Sequence, residues 1–381
     1  MKRSWFGALA LAAVAACGGD GGGRTPGEMV KSTQLSGPAG MVTLTGAGAT
    51  FPMPIYSRWF ATYARTNPVR VNYASVGSGA GIRQITQGTV DFGASDAPMS
   101  DEELARKPDI LHVPMVMGSV AVSYNLPGLR QPLRLDGATL AAIYLGQVRR
   151  WNDARIAALN PGVALPGADI LPVYRTDGSG TTFVFTDFLA AVSPAWKREV
   201  GVGKSVKWPT GLGAKGNEGV TGVVRQAEGA VGYVEVAYAT QNRLPVAAIR
   251  NRAGTFLSPS VEATTEAAAA VVGQLPPDTD FRLSIVNAAA PGAYPIASFT
   301  YLLVPAHMEE CVRARALTGL VHWTLTAGGD MARRLEYAPL PPALRTLVLR
   351  RLGTVTCGPA REPAGPRTRA TWTEGENAAH S

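Results

Sequence analysis

The sequence predicts an α/β fold, with crossover helices packed on a sheet. Three observations point there. A strand, glycine turn, helix, strand rhythm opens the chain and returns in its middle, as in sheets whose parallel strands are joined by helices. Two long apolar runs, VPMVMGSVAVSYNLPG (113–128) and YPIASFTYLLVP (294–305), read as strands that pass from one domain to another and back. The 381 residues are 46% apolar and only 17% charged, which suits one large or two medium domains with sizeable cores and excludes a chain disordered over most of its length.

In order, Val42 to Thr45 reads as a strand entering a glycine turn. Pro52 to Tyr63 reads as a helix with Ile55, Trp59 and Tyr63 on one face. VRVNY (69–73) is a second strand, SVGSGAG a second glycine turn, IRQITQGT the start of a second helix, and Val90 to Gly93 a third strand. LDGATLAAIYLGQVRRWND predicts a helix and turn with Trp151 as apolar anchor. The rhythm then repeats, with a strand through Ile170 to Tyr174, a glycine turn and a helix from about Thr181. A helix before Gly229, a strand at Ala230 to Val234 and an alanine-rich helix over 261–275 follow. Glu309 to Leu335 predicts two helical stretches divided at Gly328-Gly329, and Pro341 to Leu352 a last helix with proline at its start.

The net charge of +8 falls to +6 if Lys2 and Arg3 leave with a leader. A mildly basic chain favours anionic partners, but charge alone does not identify nucleic acid, and none is expected. Met1-Lys2-Arg3 followed by WFGALALAAVAA is too short to span a membrane and well proportioned as an export leader over 1–16. The step Val14-Ala15-Ala16-Cys17 resembles a bacterial lipobox, which would make Cys17 the lipid-bearing mature first residue. The glycine-rich stretch after it reads as a flexible tether over 17–40. Cys311 and Cys357, 46 residues apart, are compatible with a disulfide or with two independent buried thiols. Beyond Cys357, residues 358–381 form a polar, proline-rich tail expected to be disordered.

Catalytic signatures are missing. His112, His307, His322 and His380 are scattered, without HExxH or a cysteine pair, so no metal is expected, and His112 and His307 read as packing or surface residues. No GxSxG elbow or Walker motif occurs, and Phe51 stands where GAGATF would need the third glycine of a dinucleotide turn. Neither an enzyme nor a cofactor is supported. What remains is a set of strand-to-helix turns: Ala49-Thr50-Phe51, Gly77-Ser78-Gly79 and Asp177-Gly178-Ser179-Gly180-Thr181. Such turns aim backbone N–H groups and hydroxyls at a compact oxyanion. Arg175 can add a planar fork to two anion oxygens, with Asp177 orienting it.

The segments GAGATFPMPIYSRW, VNYASVGSGAGIRQ, VDFGASDAPMS, YRTDGSGTTFVFTDFL, VKWPTGLGAKGNEGV and GAVGYVEVAYA together resemble, in order and spacing, the periplasmic phosphate-binding proteins of bacterial ABC importers, over roughly residues 43 to 355. The resemblance implies a two-lobed type II periplasmic binding-protein fold, each lobe a mixed sheet flanked by helices, with the ligand cleft between them. It places the first lobe at 41–118 and 297–357, the second at 119–296, and the crossings near 116–122 and 295–299. It implies high-affinity binding of inorganic phosphate in the cell envelope, without catalysis, and delivery to inner-membrane permease subunits with their ATPase. The chain would be exported to the periplasm or the outer face of the cytoplasmic membrane and held by lipid at Cys17. The family's pocket falls on Thr50, Phe51, Ser78, Asp96, Arg175, Ser179, Gly180 and Thr181, with Asp177 supporting. Asp96 would accept a proton from the bound anion, which favours phosphate over sulfate because an ionised carboxylate can only accept. The alternatives are a binder of another tetrahedral oxyanion, sulfate or molybdate, and an extracellular adhesion or structural lipoprotein.

Overall fold

The first strand, β1 (Val42–Gly48), is longer than expected because Gly46, Ala47 and Gly48 continue the parallel ladder beside Tyr73, Ala74 and Ser75 of β2 (Val69–Ser75). Between them, α1 (Met53–Tyr63) carries proline in its first turn and buries Ile55, Tyr56, Trp59 and Tyr63, the four-residue stripe of its sequence. The helix α2 (Ser78–Thr86) starts inside the glycine turn rather than after it. The next strand, β3 (Phe92–Ser95), begins two residues later than the pattern suggests, since Asp91 is engaged in accepting from the backbone and hydroxyl of Thr45. A capping box at Ser100 and Glu103 opens α3 (Asp101–Arg106), which leads into β4 (Ile110–Tyr124).

This computed structural model describes residues 40–273, 275–276 and 279–359; the expected leader, Cys17, nearly all of the tether and the tail from 360 lie outside the described residues. After β4 come β5 (Arg134–Leu135), α4 (Gly137–Tyr144) and α5 (Ala154–Leu159). The repeated unit follows as β6 (Leu171–Arg175), α6 (Gly180–Val192), α7 (Pro194–Glu199), β7 (Leu212–Ala214), α8 (Gly216–Gln226), β8 (Ala230–Glu235) and α9 (Val236–Gln241). A small sheet edge, β9 (Ala248–Arg250) and β10 (Phe256–Leu257), precedes α10 (Val261–Val272). The chain returns through β11 (Ala297–Pro305), β12 (His307–Met308), α11 (Cys311–Ala327), α12 (Gly329–Arg333), α13 (Pro342–Leu352) and β13 (Thr356–Cys357). Cys311 and Cys357 are joined in a disulfide that ties α11 to the last strand. Trp151 is fully buried and donates to the carbonyl of Gly229, an anchor with its one polar group satisfied. His112 is a packing residue whose Nε2 accepts from the Met99 N–H at 3.0 Å. Among the described residues no helix is long and apolar enough to cross a membrane.

The main sheet has the order β2-β1-β3-β11-β4-β8-β6-β7. All fifteen residues of β4 are buried, and the strand serves two partners in succession. Up to Ser119 it pairs antiparallel with β11; from Val120 it pairs antiparallel with β8. Because β11 is antiparallel to both β3 and β4, strands β1 to β3 run with β4 toward this switch. Strands β6 and β7 are parallel to β8 and run against β4, also toward the switch. The carboxyl ends of two strand groups therefore face each other, one group in each lobe. This is the two-lobed architecture of the type II periplasmic binding proteins, a mixed sheet flanked by helices.

Close packing holds α2 against the first group. A Cβ on Gly81 would lie 2.5 Å from Gly48 Cα, 2.6 Å from the Ala47 carbonyl and 2.8 Å from that of Ala94, all backbone atoms that cannot swing aside. Gly81→Ala should destabilise the protein by about 1–3 kcal/mol, read as a lower urea midpoint. An unchanged midpoint would mean that α2 can slide off the sheet, taking the Ser78 turn with it.

Candidate anion-binding site

The turns that end β1, β2, β3, β6 and β7 meet where the two strand groups face each other, and together they hold the residues that the sequence offers for an anion. Thr50 and Phe51 follow β1, Ser78 opens α2, Asp96 follows β3, Arg175 closes β6, and Ser179, Gly180 and Thr181 begin α6. Thr50, Phe51, Ser78, Asp96, Arg175, Ser179 and Thr181 are at most 4% exposed. Carboxyl ends of strands in open α/β sheets are the expected place for a ligand, because helix N-termini with unused N–H groups converge there.

Most of the polar atoms are donors. Among the described residues the backbone N–H groups of Thr50, Phe51, Ser78 and Thr181 have no protein acceptor. Ser78 Oγ accepts from the N–H of Gly180 at 3.0 Å and from that of Asp96 at 3.3 Å, so its own hydrogen is left to donate. Ser179 caps α6, accepting from the Thr182 N–H. Gly180 has to be glycine: a Cβ there would stand 2.6 Å from both Asp96 Oδ2 and Ser78 Oγ. The two groups also touch through the Gly79 N–H, which donates to the Gly178 carbonyl at 2.8 Å, and at the rim Lys204 pairs with Glu103 at 2.6 Å.

Arg175 and Asp177 form a two-pronged ion pair, Nε to Oδ1 at 2.8 Å and Nη2 to Oδ2 at 2.5 Å, leaving the Nη1 edge toward Thr181. The fork is thereby rigid before any ligand arrives. Burial pushes the Asp177 carboxyl up, but the Arg175 hydrogen bonds, the Arg175 charge and the Gly216 N–H outweigh it, and Asp177 lies below its ordinary range. Asp96 goes the other way. Burial raises it to about 7, although a hydrogen bond from Thr300 and the charge of Arg175 both oppose the rise.

Two neighbours of the site have no role in the sequence reading. Thr300 of β11 donates to Asp96 Oδ1 at 2.9 Å, beside a register slip between Thr300 and Tyr301 at which β4 carries one extra residue, Met115. Asn217 of α8 donates to the hydroxyls of Thr50 and Thr181. It lies inside the segment KGNEGV, but a buried amide between two hydroxyls has no periodicity or turn chemistry to betray it. Thr300 sits in the apolar run SFTYLL, where one threonine reads as an ordinary strand residue.

Removing the Thr300 hydroxyl should free Asp96 to rise further. In Thr300→Val the Asp96 midpoint, followed by carbon NMR of its carboxyl, should move above the wild-type value near 7. A midpoint that stays or falls would show that Thr300 does not hold this carboxyl.

An arrangement of many donors around one buried acceptor suits a compact oxyanion that still carries a hydrogen. Residues 33–327 match the PBP superfamily domain. A phosphate-binding protein PstS of Xylella fastidiosa (strain Temecula1) is 43% identical over 304 residues, 80% of this chain and 83% of the relative. One from Pasteurella multocida is 43% identical over 300 residues, 78% of this chain and 86% of that protein. The solved phosphate-binding protein of Stenotrophomonas maltophilia superposes with a TM-score of 0.65 at 21% identity, covering 81% of this chain and 93% of that one, a likeness of fold. With the turns in place and relatives this similar along most of their length, the chain belongs to the PstS family of phosphate-binding proteins, within the PBP superfamily.

Proposed function

We propose that this protein binds inorganic phosphate with high affinity in the cleft between its lobes and hands it to an ABC-type import permease. Its role is binding rather than catalysis, and its relatives bear the name of phosphate-binding proteins. The observation that carries the reading is Asp96, 2% exposed and the acceptor among donors. The ligand contacts would be Thr50, Phe51, Ser78, Asp96, Arg175, Ser179, Gly180 and Thr181, with Asp177 holding the arginine. An ionised Asp96 needs a hydrogen on the anion, which phosphate carries at neutral pH and sulfate does not. The switch of partners along β4 supports a division into lobes at 41–118 with 297–357 and at 119–296, closing about the two crossings.

The permease with its ATPase is the partner this reading implies, and the leader and Cys17 support an exported protein, in the periplasm or at the outer face of the cytoplasmic membrane, lipid-anchored at Cys17. Intact-mass analysis of membrane-extracted protein should show residues 1–16 gone and acyl mass on Cys17; an unmodified Cys17 would reject the anchor.

Competitive calorimetry against phosphate and sulfate near neutral pH tests the site. Arg175→Ala should lose about 30- to 5000-fold in phosphate affinity, the loss of a buried charge-assisted fork. Asp96→Asn should keep phosphate binding but narrow the preference over sulfate, since an amide can also donate. A wild type that prefers sulfate, or an Arg175→Ala loss below about threefold, would overturn the reading.

A further inference from the structure

One amide inside the site decides where two of its hydroxyl hydrogens can point. Asn217, fully buried near the start of α8, lies outside the set of proposed ligand contacts. Its orientation is unambiguous, because Oδ1 accepts from the Glu235 N–H at 2.9 Å. Turning the amide over would set its NH2 group against that N–H, donor against donor. Nδ2 therefore faces the site. It donates to Thr50 Oγ1 at 2.8 Å and, at 3.3 Å, to Thr181 Oγ1.

The backbone N–H of Asn217 adds a second bond to Thr50 Oγ1 at 3.2 Å. A hydroxyl oxygen has two lone pairs and one hydrogen. With both lone pairs of Thr50 facing N–H donors of Asn217, this hydroxyl can only donate. Thr181 is in the same state through Asn217 Nδ2 and Arg175 Nη1, the latter at 3.4 Å. Ser78 reaches it independently, from the N–H groups of Asp96 and Gly180.

We propose that Asn217 is a positioning and specificity-determining residue that holds the Thr50 and Thr181 hydroxyls as obligatory donors, so that this wall of the site admits only unprotonated oxygens of the anion. The inference rests on the phosphate reading of the site. It gives the pocket two walls of opposite character: an ionised Asp96 requires a hydrogen on the ligand, and the wall organised by Asn217 refuses one. Thr50 follows β1 in the first strand group, whereas Asn217 and Thr181 belong to the second. The amide thus ties the aim of the hydroxyls to the approach of the two groups. Neither an aspartate nor a leucine could substitute, the first because its ionised carboxylate would accept the hydroxyl hydrogens and the second because it bonds to neither.

The test is calorimetric titration of the full chain with inorganic phosphate, with Asn217→Ala placed in four backgrounds: wild type, Thr50→Ser, Thr50→Val/Thr181→Val and Arg175→Ala. Ligand-free melting of each variant reports folding separately. Asn217→Ala should weaken binding by about tenfold in the wild-type and Thr50→Ser backgrounds, where the hydroxyls remain. In the double-valine background the same change should have less than about a twofold effect, because the groups it acts through are gone. A purely structural asparagine would produce the same loss in all of these backgrounds, and that result, or no loss in wild type, would overturn the inference. If Asn217→Ala does not fold, Asn217→Ser, a small polar side chain too short to bond both hydroxyls, carries the same cycle. Arg175→Ala separates the two levels. A wild type that binds phosphate and loses it in Arg175→Ala, beside an unaffected Asn217→Ala, rejects only the asparagine's role. A wild type without phosphate affinity, or one indifferent to Arg175→Ala, rejects the site reading and this inference with it.

Discussion

A single strand with two successive partners is the constraint on which the rest depends. Since β4 is bonded to β11 as far as Ser119 and to β8 from Val120, it must be buried along its whole length, and all of its residues are. A strand covered on both faces reads as a continuous apolar run rather than an alternating one. Its register also aims everything else. Glu235, the last residue of β8, lies opposite Val120, and the strands parallel to β8 end at the same level. With β1 to β3 arriving from the other side, helix N-termini from both groups converge on a small volume without any long loop reaching across.

That convergence creates an electrostatic problem, because it buries charges. Arg175 is stabilised by the bidentate contact with Asp177, and the pair is further fixed by the Gly216 N–H on Asp177 and by Tyr233, whose hydroxyl accepts from the Arg175 N–H. Breaking such a pair from one side typically costs about 3–5 kcal/mol, since it leaves an uncompensated buried charge. Glu235 resolves the same problem by neutralisation. Burial raises its carboxyl far above the ordinary range, and the hydrogen this supplies fits its surroundings. Tyr337 has one hydrogen, donated to the Phe51 carbonyl at 2.7 Å, and its oxygen lies 2.8 Å from the Glu235 carboxyl, a contact that a protonated Glu235 can satisfy.

Asp96 falls between these two cases. Arg175 and Thr300 favour its charge while burial opposes it, which leaves it near 7 and sensitive to whatever anion lies beside it. For stability the sign is that of a raised carboxylate. The contribution is fully present below the unfolded value near 4 and is lost as the pH rises through about 7. A site of preformed donors around such a group is organised in advance, so a ligand meets hydrogen bonds already aimed rather than ones that must be arranged on binding.

Much of this was legible along the chain. The glycine turns, the arginine two residues before an aspartate and the long apolar runs are local patterns, and local patterns report backbone geometry and hydrophobic burial. They determined the α/β class, the strand-to-helix turns and the oxyanion chemistry, and the longer segments the family. Strand ends were less legible: β1 runs on to Gly48 because a neighbouring ladder extends it, and β3 waits until Phe92 because Asp91 is engaged with Thr45. The spacing of Cys311 and Cys357 left a bridge open, and only the pairing of β12 with β13 brings the two sulfurs together. Thr300 and Asn217 were invisible for the same reason. Each acts through hydrogen bonds to a residue more than 160 positions away, Thr300 on Asp96 and Asn217 on Thr50. Sequence by itself determined which groups could bind an anion. Only the tertiary structure decided which hydrogens they present to it, because the direction of a hydroxyl or an amide is set by the neighbours that folding supplies.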